Sequence, residues 1–118
     1  MKDPKYLGIP NINFSVYTDD SREEKFQKQR LERGFDESET WSLHETISKF
    51  IVPRLKVFKE LAVAHPPELS PQEWDIILSK MIRCFEIGTD ADFMNETDSE
   101  EFREGLNLFN EYFFALWW

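Results

Sequence analysis

Apolar residues recur with a helical period along three long segments of the chain. They lie three or four positions apart, which places them on one face of an α-helix. The three stripes are, in chain order, Leu43, Ile47, Phe50, Ile51, Leu55, Phe58 and Leu61 or Ala62; Trp74, Ile77, Leu78, Met81, Ile82 and Phe85; and Phe102, Leu106, Phe109, Phe113, Leu116 and Trp117. The pattern predicts three amphipathic helices that share one hydrophobic core.

Helix start and stop signals set the bounds of these helices. The start signals are Ser42 with Glu45, Ser70 with Glu73 beside Pro71, and Thr97 or Asp98. A cap residue with a glutamate three positions on forms a capping box, which satisfies two backbone amides at the helix start. We therefore expect helices over about 43–63, 71–87 and 98–117, the second ending before Gly88. Pro53 should kink the first helix without breaking it, because the apolar phase continues past the proline.

A fourth, polar helix is predicted over about 21–33. Asp20 with Glu23 resembles a capping box, and Gly34 supplies the left-handed residue that ends many helices. Its few apolar residues predict a surface position. Asp36 with Glu39 then predicts a short turn.

Residues 9–17 alternate with period two and put Ile12, Phe14 and Val16 on one side. The chain offers no convincing second strand to pair with them. We expect an extended arm that lies across the helices, or else an edge that pairs with another chain.

The fold class that follows is all-α, with one helical domain at 21–118 and an extended arm at 1–20. Three core helices form a small bundle, and Gly105 inside the third indicates close approach by a neighbouring helix or by the arm. The predicted core comprises Phe50, Ile51, Leu55, Phe58, Trp74, Ile77, Leu78, Met81, Phe85, Phe102, Leu106, Phe109 and Phe113.

The net charge of −9 is concentrated in the second half of the chain. Residues 65–118 carry twelve acidic residues against three basic ones, Lys80, Arg83 and Arg103, whereas the first 64 residues are balanced. This balance argues against direct binding to nucleic acid or to an anionic membrane. The acidic half is either a solvated face or a surface that imitates nucleic acid.

The single cysteine, Cys84, cannot form an internal disulfide, and the amino-terminal MKDPKYLGIP has no apolar signal region. No apolar run approaches the roughly 20 residues that cross a bilayer. We expect a protein of the reducing cytoplasm.

One acidic segment has the spacing of a calcium-binding loop. Asp90, Asp92, Asp98 and Glu101 fall at positions one, three, nine and twelve of an EF-hand, but Asn95 replaces its invariant glycine. They are weak metal candidates, and a helix-capping loop is the default interpretation. With no nucleophile beside a base and no glycine-rich phosphate loop, we expect no cofactor and no catalysis.

The last nine residues, NEYFFALWW, divide on a helical wheel. Trp117 continues the core face, whereas Phe114 and Trp118 fall on a polar stripe, one turn apart. Trp117 is therefore expected to close the core. Phe114 with Trp118 either contacts a partner or is covered by the arm.

Several stretches together resemble a family of small uncharacterised proteins of tailed bacteriophages. They are RGF at 33–35, TWSL at 40–43, KFIVPRLKVFKE at 49–60, PPELSPQEWDIILSKMI at 66–82 and EGLNLFNEYFFALW at 104–117. The resemblance implies a phage or prophage product that acts inside a bacterial host. It brings no activity and no catalytic residues.

The sequence therefore favours a non-enzymatic phage protein that binds and modulates, or inhibits, a host protein. A nucleic-acid-binding defence protein would suit its acidic surface. The alternatives are a virion or assembly component, oligomeric through the arm, and a metal-dependent regulator or enzyme. The candidate partner-binding residues are Phe114, Trp118, Ile12, Phe14, Val16, Asp90, Asp92 and Glu96.

Overall fold

The computed structural model describes residues 21–89 and 95–117, and within them it has four α-helices and no strand. The all-α prediction is confirmed. The helices are α1 (Glu23–Arg33), α2 (Leu43–Leu61), α3 (Pro71–Thr89) and α4 (Glu96–Tyr112), with 3₁₀ turns at Glu37–Thr40 and Phe113–Ala115. The predicted arm at 9–17 lies outside the described residues. The chain divides between Ile47 and Ser48 into two compact units.

In the first unit, α1 ends as predicted at Gly34, which has a left-handed φ of 87° and donates its N–H to the carbonyl of Arg30. The start of α1 differs from the prediction. Its N-cap is Arg22, without a side-chain cap bond, rather than Asp20, which lies outside the described residues. The helix is also less superficial than its polarity suggests, because Phe26 and Arg30 are buried.

The turn after α1 contains the predicted capping box. The carboxylate of Asp36 accepts from the N–H of Ser38 at 2.8 Å, and that of Glu39 accepts from the N–H of Asp36 at 2.6 Å. Both halves of the box are therefore present.

Helix α2 begins after Ser42 and continues through Pro53, as predicted, but it ends at Leu61. Its inward face is confirmed in part: Leu55 is buried and Ile51 and Phe58 pack against the core. Four further positions that were predicted to be buried are 46 to 52 % exposed, namely Leu43, Ile47, Phe50 and Leu61. The apolar arc of this helix is wider than its contact with the core can cover.

Helix α3 supplies most of the core of the second unit. Its start is the predicted capping box, with Ser70 and Glu73 exchanging hydrogen bonds of 3.0 and 3.1 Å. It buries Trp74, Leu78, Met81, Ile82, Cys84, Phe85 and Ile87. The helix does not stop before Gly88 but runs to Thr89. Gly88 is buried where a Cβ would lie 2.5 Å from Ser48 Oγ, so it serves close packing and not helix termination.

Helix α4 begins at Glu96 because Asn95 is its cap, in place of the predicted Thr97 or Asp98. The Asn95 side chain accepts from the N–H of Asp98 at 2.8 Å. The helix ends at Tyr112 and not near residue 117 as predicted. The Tyr112 ring contacts Trp74, in the first turn of α3, with ring centroids 5.6 Å apart. Beyond Tyr112 the chain continues as a 3₁₀ turn, and Ala115 and Leu116 still pack against the core.

The predicted face of α4 is buried only in part. Phe102 and Phe109 pack against the core, together with Leu108 and Tyr112. Leu106 and Phe113 are 41 % and 51 % exposed, so their predicted burial is wrong. Leu106 lies on a face of α4 that is not covered, and Phe113 lies past the helix end.

Gly105 explains how α3 and α4 approach so closely. A Cβ at this position would collide with the backbone carbonyl oxygen of Lys80 and with the Cβ of Cys84. The predicted close approach is therefore confirmed, and the neighbour is α3. Pairing of Trp74 with Tyr112 and of Lys80 with Glu104 shows that the two helices are antiparallel.

We predict that Gly105→Ala lowers the free energy of unfolding by about 1–3 kcal/mol, because a rigid carbonyl cannot yield to the new methyl group. This loss should exceed the gain of about 1 kcal/mol in helix propensity. Asn107→Ala, at an exposed position of the same helix, is the control for propensity alone. Equal or higher stability of Gly105→Ala in urea denaturation would contradict the contact.

Candidate partner-binding surface

A cleft of about 390 Å³ opens in the second unit beside the end of α4. One wall is the segment after α2, where two prolines restrict the backbone and the N–H of Leu69 closes a turn onto the carbonyl of Pro66. The other wall is the end of α4 and the 3₁₀ turn. The lining residues are Ala64, His65, Pro66, Pro67, Glu68, Glu111, Tyr112, Phe114, Ala115 and Trp117.

Two aromatic side chains at this cleft are unusually exposed. Phe114 is 91 % exposed and Trp117 is 69 % exposed. The prediction that Trp117 closes the core is therefore wrong. It assumed a helix that continues to residue 117, and the end of α4 at Tyr112 removes that geometry. The exposed position of Phe114 agrees with its place off the core face, whereas Trp118 lies outside the described residues.

Phe114 is connected to the core through a series of aromatic contacts. The rings of Phe85, Phe109, Phe113 and Phe114 follow one another edge to face, with centroids 5.0, 5.4 and 5.4 Å apart. Such contacts fix ring orientation as well as burying area. The exposed Phe114 ring is thus in edge-to-face contact with the last member of a series that begins in the core.

The cleft is acidic as well as aromatic. Glu68 and Glu111 stand on opposite walls, and both are exposed. Partial burial raises the pKa of Tyr112, and the carboxylates of Glu111, Glu68 and Glu73 raise it further. A negative potential at the Tyr112 hydroxyl is the electrostatic signature of a site that favours cations.

The basic side chains of α3 are occupied elsewhere. Lys80 pairs with Glu104 at 2.5 Å, and Arg83 with Glu101 at 2.8 Å and Asp98 at 3.3 Å. These pairs link α3 to α4 and raise the pKa of Arg83. They leave the cleft without a neutralising cation from α3.

The same pairs bear on the predicted metal candidates. The carboxylates of Asp98 and Glu101 form ion pairs with Arg83, and Asn95 is the N-cap of α4. Asp90 and Asp92 lie outside the described residues. Within residues 21–89 and 95–117, no group of three or more potential ligands could hold a metal ion.

A second charged cluster lies in the first unit, and it is buried. Arg30 donates to Glu23 at 2.5 Å and also to Asp36, whose carboxylate accepts from the hydroxyl of Ser38. Burial by itself lowers the pKa of Arg30, but the hydrogen bonds to the two carboxylates outweigh it and the pKa is raised. One guanidinium thus joins α1 to the turn that follows it. Sequence patterns missed this cluster because Glu23 and Asp36 read as cap residues.

Of the other predicted partner-binding residues, Glu96 is exposed in the first turn of α4, where a carboxylate complements the helix dipole. Ile12, Phe14 and Val16 are outside the described residues. Periodicity does not reveal Tyr112, Glu68 and Glu111 as cleft residues, since they come together only when the segment after α2 meets the end of α4. The sequence feature that could have indicated this wall of the cleft is the pair of prolines before Glu68, because they restrict the backbone there.

We predict that Arg30→Met costs about 3–5 kcal/mol, because it leaves two buried carboxylates without their cation. Lys28→Met, at an exposed position of the same helix, should change the free energy of unfolding by no more than about 0.5 kcal/mol. Urea denaturation monitored by circular dichroism measures both. Equal stability of the two variants would show that the ion pairs do not hold this unit together.

We predict that Cys84 is inert in the folded protein. It is fully buried, and desolvation raises its pKa to about 11, so the reactive thiolate is scarce at pH 8. Labelling with a thiol reagent should be slow in buffer and rapid in denaturing urea. Labelling in buffer at the rate of the unfolded chain would contradict the burial.

In comparisons with known proteins, no family model, no curated protein and no solved structure matches this chain. In the described residues no helix is long and apolar enough to cross a membrane. Among residues 21–89 and 95–117, the two most exposed aromatic side chains, Phe114 and Trp117, both line this cleft.

Proposed function

We propose that this is a small, non-enzymatic, phage-encoded protein that binds and modulates a host protein in the bacterial cytoplasm. The observation that carries the proposal is the acidic cleft with Phe114 and Trp117 exposed at its rim. The partner covers the part of these two rings that is exposed in the free protein.

Exposed aromatic side chains are costly to leave in water and effective in binding. Tyrosine and tryptophan dominate interface hot spots because they bury a large area and lose few rotamers. Phe114 also contacts Phe113, the last ring of a series that begins in the core. A partner that covers Phe114 gains the contact area of a ring that is 91 % exposed.

The charge of the second half supports a basic partner. Its lysine and one arginine are engaged in ion pairs, whereas Glu68, Glu100 and Glu111 have no ion-pair partner in the described parts of the chain. An unneutralised acidic surface speeds the approach of a basic protein and repels nucleic acid. A host nucleic-acid-binding protein, whose own groove is basic, fits this surface as an inhibited target.

We predict that a Phe114→Ser/Trp117→Ser variant loses the host protein that the wild type captures from bacterial lysate. The reason is the loss of two exposed aromatic contacts at the cleft. Ile76→Ser, which changes an exposed apolar residue of α3 outside the cleft, should retain the partner. Affinity capture with mass spectrometry compares the three proteins.

The same capture tests the charge component. Raised salt should weaken binding, and added DNA should compete with this protein for a nucleic-acid-binding target. Capture of nothing above empty beads, or an equal yield from wild type and the double variant, would refute the proposed surface.

A further inference from the structure

We propose that the cleft binds an arginine side chain presented by the partner; this inference rests on the proposed partner-binding function. The starting observation concerns the exposed aromatic residues among residues 21–64; Phe113 in the second half, 51 % exposed, is contacted instead by the rings of Phe109 and Phe114. Trp41, Phe35 and Phe50 are each 44 to 46 % exposed. Each of the three is covered by an arginine of this same chain.

The coverage is close and repeated. The guanidinium carbon of Arg54 lies 3.8 Å from the Phe50 ring centroid. That of Arg33 lies 4.4 Å from the Phe35 centroid, and that of Arg22 lies 5.1 Å from the Trp41 ring. These distances are within the roughly 6 Å range of a cation–π interaction.

Phe114 and Trp117 lack this cover although they are more exposed. No arginine of the described ranges stands over either ring, and the second half of the chain contains only Arg83 and Arg103. Arg83 is held by Glu101 and Asp98. A guanidinium that completes the same pattern at the cleft would be supplied by the partner.

The cleft also has the second element that a guanidinium requires. The Glu68 and Glu111 carboxylates can accept its N–H groups while its flat face stacks on an aromatic ring. A lysine ammonium matches the charge but not the planar stacking. Partial burial and then the carboxylates of Glu111, Glu68 and Glu73 raise the pKa of Tyr112, and the same carboxylates would stabilise a cation placed beside its hydroxyl. Arginine within an exposed basic segment is thus the preferred occupant.

The test uses three capped hexapeptides that carry three arginines, three lysines or three glutamines in the same glycine and serine background. Titration of the full-length protein, followed by NMR, should show binding in the order arginine, lysine, glutamine. Chemical-shift changes should concentrate at residues 64–68 and 111–117. Equal binding of the arginine and glutamine peptides, or shifts centred elsewhere, would overturn the proposal.

Two variants separate a built site from general acidity. Glu68→Gln/Glu111→Gln should weaken the arginine peptide roughly tenfold, the order expected for loss of charge-assisted hydrogen bonds. Glu32→Gln/Glu60→Gln removes the same number of charges from exposed positions of α1 and α2 outside the cleft and should leave affinity within about twofold. Equal weakening by both pairs would mean that the cleft is not the site.

Failure of this inference is distinguishable from failure of the proposed function. Suppose that capture from lysate depends on Phe114 and Trp117, but that the protein does not prefer the arginine peptide. Partner binding at the cleft would then be supported, and arginine recognition would be refuted. Binding of the arginine peptide at the cleft, with nothing captured from lysate, would support the site chemistry and remove the host partner.

Discussion

The antiparallel contact of α3 with α4 is the constraint on which the second unit depends. At Gly105 the backbones meet with no room for a side chain, and the carbonyl oxygen of Lys80 stands where a Cβ would lie. Because the helices are this close, α3 can bury a continuous face of seven residues in a chain of modest size. The ion pairs of Lys80 and Arg83 then form along the outer edge of the same contact.

This contact also determines the surface that is left over. Helix α4 ends where Tyr112 reaches the first turn of α3, and Phe113, Phe114 and Trp117 beyond its end are more than half exposed. The cations of α3 are used to join the two helices, so the acidic residues at the cleft are not neutralised by them. Exposed aromatic rings and free carboxylates at one cleft are therefore two consequences of a single packing arrangement.

The first unit is stabilised by a different means. Its core contains Phe26, whose ring meets Trp41 edge to face at 5.9 Å, beside the buried ion pairs of Arg30. A buried arginine with two carboxylates specifies one arrangement of α1 and the following turn, because any other leaves a charge without its partner. In this unit the buried ion pairs of Arg30 fix the arrangement that a larger buried apolar area would otherwise fix.

Local hydrogen bonding accounts for most of what the sequence determined by itself. The boxes at Asp36 and Ser70, the end of α1 at Gly34 and the small residue at Gly105 were all readable, since each involves residues within one turn or a single steric requirement. The all-α class followed from periodicity alone. The N-cap of α4 was harder to predict, because Asn95, Thr97 and Asp98 are all residue types that cap helices. The structure shows that Asn95 is the cap.

The tertiary structure determined which apolar residues of α2 are buried and how exposed Trp117 is. An apolar stripe states that a residue can be buried, but burial needs a neighbouring surface, and α2 carries more apolar positions than the core covers. Phe50 and Leu61 thus remain half exposed while Leu55 is enclosed. Likewise Trp117 belonged to the core face only while α4 was assumed to continue, whereas α4 ends at Tyr112 and Trp117 is 69 % exposed. Local bonds are set by neighbours in sequence, whereas burial and the cleft depend on which distant segments meet.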